Sequence, residues 1–149
     1  EIWSTTLTKL QELSLHHCGV PLEECNTFLS SAIHLTSLTL LSIVCFEDED
    51  SYDSSSDAVY SNILDTLPSL TNLVSLTTDQ PIDGVISECT QLERLHVHSW
   101  LDLEQIPALV NLRELKVKRE VMNLEDNLSA LTQLQKLCLC DMSVKGIRN

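Results

Sequence analysis

The chain has 149 residues, enough for one domain, and 43% of them are apolar although only 4% are aromatic, so any core must be filled by aliphatic side chains. With 22 Asp and Glu against nine Lys and Arg, its formal charge of −13 disfavours nucleic-acid backbones and anionic lipid surfaces. No apolar run reaches the ~20 residues that span a bilayer, and three glycines and four prolines exclude collagen-like or low-complexity chains.

Along the chain one frame recurs: an apolar residue, two variable ones, an apolar residue, one variable, an apolar residue. The first instance is Leu10-Gln-Glu-Leu13-Ser-Leu15. Residues 21–35 then read as a helix. The second frame is taken as Leu38-Thr-Leu-Leu41-Ser-Ile43. An acidic, Ser-rich stretch from Glu47 to Asp57 follows, which reads as a solvated mobile insertion. A second helix is expected from Asp57 to Leu67, with Asp57 as N-cap and Pro68 after its end. Four more frames start at Leu73, Leu92, Leu112 and Leu134.

The physical sense of the frame is direct. Its second and third apolar positions alternate as in a short strand with one buried face. One such strand cannot bury its leucines alone, but a parallel stack can. The third frame ends in Thr78, a β-branched residue suited to a strand. The middle leucines, read as Leu13, Leu41, Leu76, Leu95, Leu115 and Leu137, are separated by 28, 35, 19, 20 and 22 residues. Repeats of ~20–29 residues are typical of such stacks, and the acidic insertion accounts for the 35.

With six in-register frames, the chain resembles the leucine-rich-repeat family over nearly its whole length. The resemblance implies an α/β solenoid with a curved parallel sheet of about six short strands on its concave side and helices or irregular turns on its convex side. It also implies a return path at Asp102–Leu112, with Ile106, Leu109 and Leu112 inward, and another through Leu124, Leu128 and Leu131. The family usually has Asn or Cys three residues after the third apolar position. Only Cys18 fits; Phe46, Pro81, Trp100, Glu120 and Met142 occupy the other positions. Trp100 is read either as a partner anchor or as a core plug, the second being favoured. The strings Leu35-Thr-Ser-Leu38, Leu70-Thr-Asn-Leu73 and Leu131-Thr-Gln-Leu134 resemble repeats of plant nucleotide-binding immune receptors, and Cys89-Thr-Gln-Leu92-Glu-Arg-Leu95-His-Val97 resembles the cysteine-containing repeats of F-box ubiquitin-ligase receptors.

Variable residues beside the strand leucines should face the concave side. By turn, they are Glu12, Ser14, His16 and His17; Leu40, Ser42, Val44 and Cys45; Ser75, Thr77, Asp79 and Gln80; Arg94, His96, His98 and Ser99; Glu114, Lys116, Lys118 and Arg119; and Lys136, Cys138, Cys140 and Asp141. Arg94, His96, His98, Lys116, Lys118, Arg119 and Lys136 thus gather in the last three turns. They form the candidate contact surface for another protein with an acidic surface, or for another domain of the same chain.

Catalytic and metal chemistry are not expected. The histidines at 16–17 and 96–98 lie about three strand spacings apart, too far to share a zinc. Cys138-x-Cys140 lacks the second pair that a zinc ribbon would need. No nucleophile-elbow or phosphate-loop glycines occur, and the acidic stretch lacks calcium-loop spacing. The expectation is a non-enzymatic recognition module without cofactor, in the cytoplasm because six scattered cysteines suit a reducing compartment. A start at Glu1 and uncapped ends suggest one repeat domain, 1–149, within a longer protein.

Overall fold

The computed structural model describes residues 9–46, 63–82, 84–99, 101–119, 121–122 and 127–140. The Glu47–Asp57 insertion, the proposed N-cap at Asp57, and Trp100, Glu120, Leu124, Asp141 and Met142 lie outside them, as do the side chains of Cys45 and Phe46.

Six of its strands form one wall: β1 (Glu12–His16), β3 (Ser37–Leu41), β5 (Ser75–Thr78), β6 (Arg94–Val97), β8 (Glu114–Val117) and β10 (Lys136–Leu139). They lie side by side in that order and every neighbouring pair is parallel. Two two-stranded parallel ladders follow the wall round the bend. One pairs β2 (Gly19–Pro21) with β4 (Val44–Phe46), the other β7 (Leu101–Asp102) with β9 (Val121–Met122). The return path carries helix α1 (Leu22–Ser31) and 3-10 segments at Ile63–Ser69, Ile86–Glu88, Leu103–Ala108 and Leu128–Ala130. These stack on one another in sequence, as the strands do.

A three-residue step explains how each turn reaches the sheet. Leu70 N–H donates to Leu67 O, and Leu73 N–H to Leu70 O. The same bonds run from Cys89 to Ile86 and Leu92 to Cys89, from Leu109 to Ile106 and Leu112 to Leu109, and from Leu131 to Leu128 and Leu134 to Leu131. A 3-10-like backbone has three residues per turn, so each third residue points the same way, here into the core. Leu67, Leu70, Leu73 and Leu76 are accordingly buried, as are Ile86, Cys89, Leu92 and Leu95, and Ile106, Leu109, Leu112 and Leu115. Thr78 is buried too, and its hydroxyl oxygen accepts from Gln80 N–H at 2.9 Å.

The same step corrects the second frame. Ala32 N–H donates to Leu29 O and Leu35 N–H to Ala32 O, so the inward series is Leu29, Ala32, Leu35, Leu38. Strand register agrees: Leu13 pairs with Leu38 and Leu38 with Leu76. The repeat lengths are therefore 25, 38, 19, 20 and 22 residues. Leu40 is fully buried and Leu41 takes the outward place, the reverse of the sequence reading. Two further expectations change. The first helix ends at Ser31 rather than Leu35. Where the second helix was expected, the described part is a 3-10 segment with Pro68 inside it rather than after it. A proline can sit there because its missing N–H costs less in a short, irregular turn than in a long α-helix.

Side-chain amides reinforce the stack outside the sheet. Asn72 Nδ2 donates to Ile33 O at 2.7 Å, Gln91 Nε2 to Leu70 O at 3.0 Å, and Asn111 Nδ2 to Thr90 O at 3.0 Å. Each residue directly precedes the first leucine of its frame, and each binds the turn before. This ladder does the work of the asparagines that are missing beyond the strands.

Burial ranks the leucines. Leu115 is fully enclosed, whereas Leu137, its register partner on terminal strand β10, is 42% exposed. Leu115→Ala is expected to cost ~2–5 kcal/mol by removing buried atoms and leaving a cavity. Leu137→Ala should cost clearly less; equal losses in urea-unfolding free energy would contradict this account of the core.

Candidate functional site

On the outward side of the six-stranded wall, register sorts the side chains into rows. The first row runs Glu12, Ser37, Ser75, Arg94, Glu114, Lys136, and the second Ser14, Thr39, Thr77, His96, Lys116, Cys138. Beyond the strands, Asp79 N–H donates to Leu40 O, His98 to Thr78 O, Lys118 to Val97 O and Cys140 to Val117 O. These bonds extend the ladder into a third row: His16, Leu41, Asp79, His98, Lys118, Cys140. Neighbouring strands lie ~4.8 Å apart, so cations in adjacent turns share one surface.

The seven residues singled out from the sequence occupy three adjacent turns, but they do not act as one cationic patch. Glu114 divides them. Its Oε1 accepts from Lys136 Nζ at 2.6 Å and lies 3.2 Å from His96 Nε2. The Lys136 hydrogen bond, with a smaller part from the His96 ring 3.2 Å away, holds the Glu114 carboxyl below the usual range, and Glu114 raises Lys136 in return. Arg94 stands beside Glu114 in register. Glu114 thus offsets part of the positive charge at the strand-start end of the patch. Lys136 is 65% exposed, so this pair contributes little to stability.

The other end differs. Among the described residues no carboxylate lies within ion-pair distance of Lys116, Lys118 or Arg119. Lys118 and Arg119 line an open cleft of about 480 Å³ with His17, Leu41, Ser42, Asp79 and His98. His17 and Ser42 have φ of 50° and 54°, in equivalent places just past β1 and β3. Left-handed backbone is costly for such residues, and Asp79 offsets part of the cost. Its Oδ2 accepts from Ser42 N–H at 2.7 Å and lies 3.3 Å from Ser42 Oγ. Asp79 is thereby committed to the backbone of the neighbouring turn. Burial, then Lys118, lowers the His98 pKa below its ordinary value of 6.5; Lys116 and His96 add to this and Asp79 opposes it.

Several positions of the predicted map fall elsewhere. Leu40 is inside. Val44 belongs to β4, outside the main wall. Ser99 is buried, and its Oγ donates to Gln80 O at 3.2 Å. The strand ends at His16, and His16 and His17 are both exposed. Sequence reasoning missed the cleft, because the shifted second frame left Leu41 in the core. The neutralising role of Glu114 was also missed; equal positions in neighbouring frames were the available signal. Among the described residues no group of three or more His, Cys, Asp or Glu is placed to hold a metal ion. No described helix is long and apolar enough to cross a membrane.

Comparison with known proteins bears on the fold. No protein-family model matches the chain, and no curated protein does. Solved structures do match. An internalin (inlF) from Listeria monocytogenes superposes with a TM-score of 0.63 at 19% identity, covering 97% of this chain and 45% of the other. Internalin C2 (inlC2) of the same organism gives 0.50 at 15% identity, covering 91% and 74%. Internalins are leucine-rich-repeat proteins, and the chain has that fold: an α/β leucine-rich-repeat solenoid. It spans less than half the length of the first of these structures.

The electrostatics can be checked directly. In an NMR titration His98 should have a midpoint below 6.5, and Lys118→Met should move it upward. Because the folded chain holds this proton less tightly than the unfolded chain, the associated stability is present above pH 6.5 and declines as pH falls below it.

Proposed function

We propose that the concave wall is a protein-recognition surface whose contact region is the uncompensated cationic end: Lys116, Lys118 and Arg119 with His98. Arg94, His96 and Lys136 form the flank, where Glu114 tempers their charge. The partner is a protein with an acidic surface, or an acidic domain of the same longer chain. The observation that carries this reading is the gathering of three cations, unpaired among the described residues, beside an open cleft on a body of net charge −13. On such a body a local positive patch steers an acidic partner into one orientation. Solenoids use their concave side in this way. The reading is of a binding scaffold without catalytic chemistry or cofactor.

The wider setting we propose is a ligand- or effector-sensing repeat domain of a larger cytoplasmic receptor, in innate immunity. Its support is the similarity of Leu70-Thr-Asn-Leu73 and Leu131-Thr-Gln-Leu134 to plant immune-receptor repeats. The first four residues of Cys89-Thr-Gln-Leu92-Glu-Arg-Leu95-His-Val97, which resembles F-box repeats, occupy the same structural turn. That second reading, substrate recognition for a ubiquitin ligase, is separated by what the full gene encodes upstream: a nucleotide-binding module for the sensor, an F-box helix bundle for the ligase.

The contact region has a direct test. Replacing Lys116, Lys118 and Arg119 together with Glu should weaken binding of an immobilised Glu-rich peptide by about tenfold or more, a loss of ~1.4 kcal/mol. Circular dichroism should be unchanged, since all three side chains lie outside the core. Binding by the unaltered chain should also fall as salt rises. Equal affinity of the triple variant would remove the cationic end from the contact surface.

A further inference from the structure

Two thiols meet on the terminal strand of the sheet. Cys138 and Cys140 are two residues apart, so they project from the same face of β10 and its continuation. Both are half-buried, and their Sγ atoms lie 3.3 Å apart in a thiol–thiol contact. Cys25 and Cys89 are different in kind: both are fully buried, and burial together with Glu88 pushes the Cys89 thiol up to about 11. Those two are packing groups of the core. The Cys138–Cys140 pair is accessible and has cations alongside, Lys116 in register with Cys138 and Lys118 level with Cys140.

A disulfide suits this arrangement poorly. Alternate residues of a strand have Cα atoms ~6.6 Å apart, at the upper limit of the range that disulfides bridge. The Cβ atoms would have to close to ~3.8 Å, which would bend β10 out of its register with β8. A bridging metal ion suits it better. With metal–sulfur bonds of ~2.3 Å, sulfurs 3.3 Å apart already subtend an angle of roughly 90° at the metal. Side-chain rotation alone can open that angle toward linear. The donor set limits the ion. With no third His, Cys, Asp or Glu placed to join them among the described residues, the four-ligand shell of structural zinc is not met. Thiolates favour soft ions, and Cu(I) is the soft biological ion that two sulfurs can satisfy.

We propose that Cys138 and Cys140 form a two-coordinate thiolate site for Cu(I). On binding, two S–H bonds break, two S–Cu bonds form, two protons pass to solvent and no electron is transferred. The bis-thiolate complex has one net negative charge, which the ammonium groups of Lys116 and Lys118 offset. The site stands independently of any partner on the concave wall.

The probe is Cu(I) presented anaerobically to the reduced 149-residue chain as its bathocuproine disulfonate complex, with transfer read as loss of visible absorbance. The unaltered chain and Cys18→Ser should each withdraw one equivalent. Cys138→Ser and Cys140→Ser should each lose that equivalent with unchanged circular dichroism. X-ray absorption of the loaded, unaltered chain should show two sulfur neighbours, a readout that needs no variant. The proposal is overturned if the unaltered chain withdraws nothing, if the double serine variant withdraws the same equivalent, or if three sulfurs surround the metal.

Discussion

Parallel pairing between one turn and the next fixes everything else in this molecule, and a shared carbonyl marks where each pairing begins. Gln11 O accepts from both Thr36 and Ser37 N–H, Thr36 O from Val74 and Ser75, and Val74 O from Glu93 and Arg94. Glu93 O then accepts from Arg113 and Glu114, and Arg113 O from Gln135 and Lys136. This contact recurs at the same place in every turn. It pins the start of each strand to its neighbour whatever the length of the intervening chain. A slip of one residue would turn the leucines outward and the lysines inward, so the aliphatic column and the cationic surface are two faces of one register.

The charged surface inherits its pattern from that pinning. Glu114 meets Lys136 and His96 because one lies opposite it in register and the other one row on in the adjacent strand. Lys116 and Lys118 stand apart from Glu114's carboxylate because they lie further along the strand and just past its end. Five Lys and Arg side chains, two histidines and one carboxylate give a surface whose charge is partly offset at one end and uncompensated among the described residues at the other. Charge counting along the chain sees only the sum. The Cys138–Cys140 contact has the same origin: a strand brings alternate side chains to one face, and β10 has a neighbour on one side only among the described residues.

Much of the architecture was legible because leucine is placed so regularly. The strand register of turns three to six is read correctly from the frame alone, down to the buried Thr78 at the third apolar position, although Ser99 is buried and Leu137 exposed. Turn two was not, and the reason is specific. Leu35, Leu38, Leu40, Leu41 and Ile43 satisfy the frame in two overlapping ways, three residues apart. Strand alternation cannot choose between them. The choice is made upstream, where Leu29 and Ala32 continue the three-residue inward step only into the Leu35 frame. That shift moved Leu41 to the surface and disclosed the cleft. Similarly, the Leu-Thr-Asn-Leu and Cys-Thr-Gln-Leu strings looked like marks of separate lineages, yet both are the same amide-bearing turn. Ion-pair partners such as Glu114 with Lys136 depend on rotamers and cross-strand distances, which a linear pattern does not contain.

The amide ladder of Asn72, Gln91 and Asn111 separates two properties that a solenoid could have coupled. These side chains fasten consecutive turns just ahead of the sheet, on the near side of whatever detour the chain has taken. Turn length can therefore run from 19 residues to 38 without disturbing the alignment of the strands. Segments can lengthen or shrink on the outer circumference while the inner wall keeps its geometry. Such a scaffold lets novelty accumulate on one side and leaves the other side's spacing conserved by construction.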